Sequence, residues 1–312
     1  MGKFFEKLFG RNKPQQPPTE TAPAPSTGGG EEPTIPISDA LFDNEEISAI
    51  ISESEYPNFL VGCAKSVGLQ RDHNEDALFA ISANLTNKSE NSLLGLFMVA
   101  DGMGGHKHGE IASEIAVRSV GSQVLSKVFT PLLAKDPSPP QESLQEILQE
   151  SVIEAHNAIV KEALGGGTTL TVVLIINERA IVAHVGDSRA YNLTPDGEIQ
   201  AITRDHSLVM RMMELGQLSP EEAAIHPQRN VLYRALGQGE PLDPDLHTFP
   251  LPGGGHILVC SDGLWNVVPE ELITQIVQAS PDPQKACEHL VDAANAAGGP
   301  DNITVILIRL PD

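Results

Sequence analysis

The chain has 312 residues, 40% of them hydrophobic, which is enough for one large domain or two small domains with a sizeable core. Its 20 lysines and arginines against 42 aspartates and glutamates leave a net charge of −22, which argues against a surface for nucleic acid or anionic lipid. Three cysteines without metal-ligand spacing, Cys63, Cys260 and Cys287, predict reduced thiols in a cytoplasmic protein.

The first 55 residues differ in composition from the rest. Residues 1–13 carry phenylalanines among basic residues, a pattern typical of a frayed tail or of a short peripheral anchor. Residues 14–36 contain seven prolines and three consecutive glycines, and residues 31–55 add eight acids without a lysine or arginine. Because this composition cannot bury a core, the sequence predicts a disordered tail over 1–55 and a folded domain over 56–312.

Apolar periodicity divides the domain into strands and helices. The longest apolar run, Leu170–Ile176, is too short for the roughly 20 residues of a membrane span, so we expect none. Adjacent strands joined by short turns favour antiparallel hairpins with helices packed outside, an α+β layered domain. Strands are predicted at 59–69, 77–82, 95–100, 169–176, 180–185, 189–193, 198–202, 256–260 and 302–309. Helices are predicted from about residue 110, at 142–164, around 272–277, and from Asp282-Pro283 to the glycines at 298 and 299.

Five aspartates stand where predicted strands begin or end. In antiparallel sheets the end of one strand lies beside the start of its neighbour, so all five can gather at one edge. Each alone is typical of a turn or a helix cap, but five together would repel one another severely without cations. An all-oxygen cluster selects hard ions such as Mg²⁺ or Mn²⁺. The five are Asp76, Asp101, Asp187, Asp262 and Asp301.

A cluster of this kind suits the hydrolysis of phosphate esters. Two hard cations can share a water, lower its pKa and hold a phosphoryl oxygen for in-line attack. Arg71, five residues before Asp76, is placed to supply a bidentate guanidinium to the phosphate. The alternative for Arg71 is a surface ion pair with Asp72 or Glu75.

Eight motifs in order then extend over about residues 60–310, and together they resemble bacterial-type metal-dependent protein phosphatases of type 2C. The resemblance implies a four-layer α-β-β-α sandwich of two antiparallel sheets flanked by helices. The motifs are RDHNED (71–76), VADGMGGHKHGEIAS (99–113), GTTLT (167–171), AHVGDSRAY (183–191), TRDHSLV (203–209), NVLYRALG (230–237), CSDGLW (260–265) and GGPDNIT (298–304).

The resemblance also implies a ligand set for two core ions. Asp101 matches the aspartate that bridges both metals, and the Gly102 carbonyl matches a ligand of one of them. Asp262 and Asp301 match carboxylate ligands of the other metal. The acidic pair Glu75 and Asp76 matches residues that bind the site directly or through water.

Further roles follow from the same resemblance. Arg71 matches the phosphate-binding arginine, and Asp187 matches a residue that holds a third, weaker metal together with Asp262. Asn266 stands where many relatives have an acid, so we expect a weakened third site. Met103 stands where eukaryotic members have the histidine that can protonate the leaving alkoxide, which leaves His106, His73 or a metal-bound water as the acid.

Three other motif residues have structural interpretations. Thr168 and Thr169 look like interior strand residues. Asp205 is interpreted as the N-cap of a helix that opens the segment 208–229, which resembles the mobile flap of the family. The methionines of this segment are expected either to contact substrate peptide or to pack in a helix.

The leading hypothesis is therefore a serine/threonine protein phosphatase with a binuclear Mn²⁺ or Mg²⁺ centre. We expect a monomer that acts on phosphoproteins made by a serine/threonine kinase. One alternative is a non-catalytic regulatory module of the same fold, which the intact ligand set disfavours. A second alternative is a metal-dependent esterase or nuclease, whose basic or lipophilic groove the net charge of −22 does not indicate.

Overall fold

Two five-stranded antiparallel sheets form the centre of the computed structural model, which describes residues 58–86, 91–104, 107–134, 140, 142–239, 241–251 and 253–311. The predicted tail over 1–55 lies outside the described residues. No helix among the described residues has the length and apolarity to cross a membrane. The strands are β1 Leu60–Ser66, β2 Ala77–Thr86, β3 Asn91–Ala100, β4 Gly102–Met103, β5 Gly167–Thr168, β6 Leu170–Ile176, β7 Arg179–Val185, β8 Arg189–Leu193, β9 Ile199–Ala201, β10 Asp245–Pro250, β11 His256–Cys260 and β12 Ile303–Arg309.

The order of strands is β1-β12-β11-β8-β9 in one sheet and β10-β7-β6-β3-β2 in the other, while β4 and β5 form a separate pair. Helices lie outside both sheets. A π-helical turn, Leu125–Phe129, and a last turn, Thr130–Leu132, continue the first helix. The helices are α1 Lys107–Val124, α2 Leu144–Glu162, α3 Leu208–Glu214, α4 Pro220–Ala224, α5 Asp262–Trp265, α6 Glu270–Ala279 and α7 Pro283–Ala296.

Alternate residues of β3 show how the layers are built. Phe97 and Val99 face the other sheet, where they pack with Val259 and Ile306 in the core between the sheets. Leu96 and its neighbour Met98 face the opposite way, into a core shared with α1 and α2. Because both faces of the sheet are covered, the strand is a continuous apolar run rather than an alternating one. A third core joins the other sheet to α6 and α7. The predicted α-β-β-α sandwich is thus confirmed.

Local sequence explains where the longer helices begin. Ser143 forms a capping box with Glu146, in which the serine hydroxyl accepts from the Glu146 N–H at 3.2 Å. Asp282 caps α7 by accepting from the Gln284 N–H at 3.0 Å, with proline as the first helical residue, as its sequence predicts.

The structure contains an edge strand that the sequence did not predict, and it corrects one predicted helix cap. The strand β10 was not predicted, because it is an edge strand with no buried residue and its sequence DLHTFP has no clear apolar alternation. Asp205 does not cap α3. Ser207 takes that position and accepts from the Met210 N–H at 3.3 Å, whereas Asp205 forms a buried ion pair with Arg189.

The sheets bring the predicted aspartates to one edge. Ala77 at the start of β2 pairs with Ala100 at the end of β3, so the residues beside them, Asp76 and Asp101, lie at the same end of that sheet. In the other sheet the end of β11, which precedes Asp262, pairs with the start of β8.

Candidate active site

A cleft of about 490 Å³ opens at this edge of the sandwich. Six of the seven predicted metal ligands line it together with Arg71, and Asp76 lies behind them. Met103 and His73, which bear on the proton donor, also line the cleft, whereas His106 lies outside the described residues. The lining ligands are Glu75, Asp101, Gly102, Asp187, Asp262 and Asp301.

Four aspartates in and behind the cleft have raised pKa values, chiefly because they are buried. Burial raises the pKa of Asp187 to about 7 and that of Asp76 to about 6. Burial, together with the neighbouring carboxylates, raises the pKa of Asp101 and Asp262 well above the usual range of an aspartate. A group of buried acids with mutually raised pKa values is a cation site or a cluster that must take up protons.

Two oxygens of this cluster have no hydrogen-bond partner in the part of the chain that the structure describes. They are Oδ1 of Asp76 and Oδ1 of Asp262, and both are buried. Within the described ranges, no three carboxylate, imidazole or thiolate groups are arranged so that they could hold an ion as they stand. The fit to cations therefore depends on the concentrated charge and on the two unpartnered oxygens, for which a hard cation is the natural partner.

Asp76 is held from behind the cleft. Its Oδ2 accepts hydrogen bonds from the hydroxyls of Thr304, at 2.6 Å, and Ser261, at 3.0 Å. These two bonds orient the carboxylate so that its other oxygen stays unpartnered. Asp76 therefore lies one layer deeper than Glu75, behind the wall of the cleft.

Glu75 is positioned by its neighbours along the chain and by α1. His73 Nε2 lies 2.9 Å from its Oε1. The Ser113 hydroxyl of α1 donates to the Glu75 carbonyl at 2.5 Å. Gly109 allows the start of this helix to approach, because a Cβ at that position would lie 2.0 Å from Glu75 Oε2.

Asn302 joins both sides of the cleft, and sequence reasoning assigned it no role. Its Oδ1 accepts from the Glu75 N–H at 2.8 Å, and its Nδ2 donates to the carbonyls of Val67 and His73, each at 2.9 Å. The signal in the sequence is an asparagine between Asp301 and the apolar run of the next strand, and the structure shows this asparagine to be buried. Such an amide can satisfy three backbone groups at once.

Thr168 and Thr169 are buried, as expected, and both hold Asp101. The Thr168 hydroxyl donates to the Asp101 carbonyl at 2.9 Å. The Thr169 hydroxyl accepts from the Asp101 N–H, also at 2.9 Å. The backbone of the predicted bridging aspartate is therefore fixed on both sides by hydroxyl groups.

Arg71 lies at the rim of the cleft with its side chain 51% exposed. Its Nη2 donates to Asp301 Oδ2 at 2.7 Å. The alternative prediction, an ion pair of Arg71 with Asp72 or Glu75, was therefore wrong, because the partner is Asp301. This contact raises the pKa of Arg71 further and turns its guanidinium toward the carboxylates of the cleft.

Asn266 meets Asp262 through its amide nitrogen. Its Nδ2 donates to Asp262 Oδ2 at 3.0 Å. The sequence predicts a weakened third site because an amide replaces an acid here, and in the structure that amide is a donor that occupies one oxygen of Asp262. The other oxygen, Oδ1, is the unpartnered one.

The flap predicted over 208–229 continues to residue 231 in the structure, and the segment 208–231, here called the flap, closes on itself beside the cleft. At its base the Leu208 N–H donates to the Val231 carbonyl at 2.8 Å, and Ser207 forms a bridge with Leu232. Asn230 and Leu232 reach the wall of the cleft. Met210, Met212 and Met213 are half-buried, so both predictions for the methionines stay open.

Comparison with known proteins shows the family of the chain. A family model described as protein phosphatase 2C matches residues 70–293. The chain belongs to the protein phosphatase 2C family. The resemblance predicted from its motifs is thus confirmed.

Several relatives of this family are similar over most of the domain. The serine/threonine phosphatase stp of Listeria innocua is 36% identical over 244 residues, which cover 78% of this chain and 92% of that protein. The solved structure of the Mycobacterium tuberculosis serine/threonine phosphatase PstP has a TM-score of 0.67 at 32% identity and covers 81% of this chain and 99% of that one. A PstP catalytic domain in complex with two manganese ions has a TM-score of 0.66 at 30% identity, covering 82% and 100%.

Proposed function

We propose that the chain is a protein phosphatase that hydrolyses phosphoserine and phosphothreonine with water activated by Mn²⁺ or Mg²⁺. The observation that carries this proposal is the group of carboxylates, most of them buried, that lines one cleft, with unpartnered oxygens on Asp76 and Asp262. The hypothesis of a metal-dependent serine/threonine phosphatase is confirmed by the family of the chain and by the activities of its relatives.

The core ions would be held by the carboxylates of the cleft. Asp101 would bridge the two, with the Gly102 carbonyl on one of them and Asp262 and Asp301 on the other. Glu75 and Asp76 would hold the site directly or through water. When bound, such ions lower the pKa of a shared water and hold a phosphoryl oxygen for in-line attack.

The chain itself fixes these groups before substrate arrives. The hydroxyls of Thr168 and Thr169 hold the backbone of Asp101, and the Asn302 amide holds that of Glu75. Ligands on a fixed backbone keep their separation when charge moves during the reaction, so less reorganisation is needed in the transition state.

Arg71 would bind the phosphate of the substrate. A guanidinium carries five N–H donors, and the contact with Asp301 uses Nη2. Asp301 thereby orients the guanidinium at the rim, from which its other donors can reach non-bridging phosphate oxygens. A phosphate held there lies beside the carboxylates that would carry the ions.

A third, weaker ion would be held by Asp187 together with Asp262. The unpartnered Oδ1 of Asp262 and the raised pKa of Asp187 support this proposal, because both groups gain from a nearby cation. Asn266 would act as a donor that orients Asp262 and not as a ligand.

We further propose that the protein works as a monomer in the cytoplasm, on proteins phosphorylated by a serine/threonine kinase. The free cysteines Cys63, Cys260 and Cys287 suit a reducing compartment. The disordered tail predicted over 1–55 would tether the catalytic domain, predicted over 56–312, without taking part in the chemistry.

The test is hydrolysis of a phosphothreonine peptide with Mn²⁺, with chelator, and with the variants Asp101→Asn and Asp262→Asn. Chelation should abolish turnover, and each variant should lose several orders of magnitude because it removes a charged ligand. Asp196→Asn, in an exposed turn, is the matched control and should keep full activity. Near wild-type turnover by Asp101→Asn would refute the proposed centre, and no turnover by the Mn²⁺-loaded wild type on any phosphopeptide would favour the regulatory module.

A further inference from the structure

The turn between β7 and β8 carries Asp187 into the cleft, and its backbone is held by a side chain from another element. The Trp265 indole N–H donates to the Asp187 carbonyl at 3.0 Å. Trp265 ends α5, three residues after Asp262 begins that helix. This hydrogen bond therefore joins the backbone segments that carry the two acids.

The Trp265 ring is itself held in place. The Arg189 guanidinium lies 3.6 Å from the ring centroid, and Asp205 binds that guanidinium through both carboxylate oxygens, at 2.9 and 2.7 Å. A stacked guanidinium with a fixed partner leaves the indole little rotational freedom. Its N–H is thus aimed at the Asp187 carbonyl by packing and by charge.

Other side chains hold the two ends of the same turn. The Gly186 N–H donates to His206 Nδ1 at 3.1 Å, and the Gly186 carbonyl accepts from the His206 N–H at 2.7 Å. The Thr171 hydroxyl donates to the Ser188 carbonyl at 2.9 Å. Gly186 also needs its positive φ of 109°, and a Cβ there would lie 2.6 Å from Thr169. With its ends fixed, the turn has its middle carbonyl pointed at Trp265.

We propose that Trp265 is a positioning residue for metal binding: its indole N–H holds the Asp187 backbone, and so sets the distance between the carboxylates of Asp187 and Asp262. The proposal rests on the proposed role of Asp187 as a ligand of the third ion. Loss of a group that orients a ligand costs about 10- to 100-fold in metal affinity. A single neutral hydrogen bond belongs at the lower end of that range.

Trp265→Phe is the variant that isolates this hydrogen bond. Phenylalanine keeps an aromatic ring beside Arg189 and removes the N–H. Mn²⁺ binding would be followed by titration calorimetry on the wild type, Trp265→Phe, Asp187→Ala and the double variant. Binding is measured without substrate, so the readout does not depend on turnover.

The expected result is about a tenfold weaker last Mn²⁺ step in Trp265→Phe, with the tighter steps unchanged. In the Asp187→Ala background the same change should have no effect on Mn²⁺ binding, because the ligand that it positions is gone. A merely structural role would not produce this dependence on Asp187.

Each other result overturns a specific part. If Asp187→Ala loses the last step and Trp265→Phe does not weaken it, Trp265 does not position the ligand. If Trp265→Phe weakens every step, or weakens binding equally in the Asp187→Ala background, its effect is general and the proposal fails. If Asp187→Ala itself binds Mn²⁺ like the wild type, the proposed third ion is wrong, and the role of Trp265 falls with it.

Discussion

The buried ion pair of Arg189 and Asp205, which holds the Trp265 ring, offers a sharp test of how this part of the interior is stabilised. Both guanidinium-carboxylate bonds are short, and Nη1 of Arg189 also donates to the Tyr191 hydroxyl at 2.9 Å. The side chains of Arg189 and Asp205 are 19% and 5% exposed. Asp205→Asn would leave the guanidinium buried without a counter-charge.

Removal of one partner from a buried pair costs about 3–5 kcal/mol in the free energy of unfolding. Because a fifth of the Arg189 side chain reaches solvent, we expect the lower end, about 3 kcal/mol. The melting temperature of a domain of this size should fall by roughly 6–12 °C. Urea unfolding, followed by the fluorescence of the chain's single tryptophan, measures the change.

A double variant separates the pair from general damage. Arg189→Met combined with Asp205→Leu removes both charges, and it should cost less than the sum of the two single changes by more than about 1 kcal/mol. Asp196→Asn is the exposed control and should stay within about 0.5 kcal/mol of the wild type. A loss below about 1 kcal/mol for Asp205→Asn, or simple additivity in the double variant, would refute this account of the pair.

Three further predictions concern the site and the interior. Gly109→Ala should lower kcat at least tenfold in a steady-state assay, because the new Cβ would displace the Glu75 carboxylate. Gly121→Ala in the same helix is the control and should keep its kcat, because the new Cβ would lie 3.4 Å from the flexible end of Met98. Arg71→Ala should mainly raise KM for phosphopeptides, because the guanidinium binds phosphate in ground and transition states alike; a fall in kcat alone would contradict this. Burial lowers the pKa of His184 to about 3. Between about pH 6.5 and pH 3 the unfolded chain therefore binds a proton at this histidine that the folded chain does not. The free energy of unfolding should fall as pH is lowered through this range, by up to about 1.4 kcal/mol per pH unit from this group. If NMR shows the His184 imidazole of the folded protein to be protonated at pH 5, that pKa is wrong.

The fold and the gathering of the acids could be predicted because they follow from local periodicity and strand geometry. The run around Phe97 is apolar on both faces, which indicates a strand covered on both sides. The positions of Asp76 and Asp101 at strand ends imply a shared edge once the pairing is antiparallel. Both inferences need only the order of residues along the chain.

The groups that hold the acids could not be predicted in the same way. Asp205 and Ser207 stand two residues apart, and both residue types are common helix caps, so local rules do not separate them. The partner of Asp205, Arg189, lies 16 residues away in the sequence. Asn302 contacts Glu75 over 227 residues. Such contacts are set by the tertiary fold, and a single sequence carries no periodic signal for them.

The closed base of the flap has a consequence for how the family can diversify. The first and last residues of the segment 208–231 are hydrogen-bonded neighbours, so its length and composition can change without moving the strands on either side. The flap is therefore a segment that can be exchanged between homologues while the strands that carry the acids stay in place. Such an exchange should preserve the hydrolysis of a small phosphate ester, and a change in the rates on phosphoproteins would show that the flap contacts substrate.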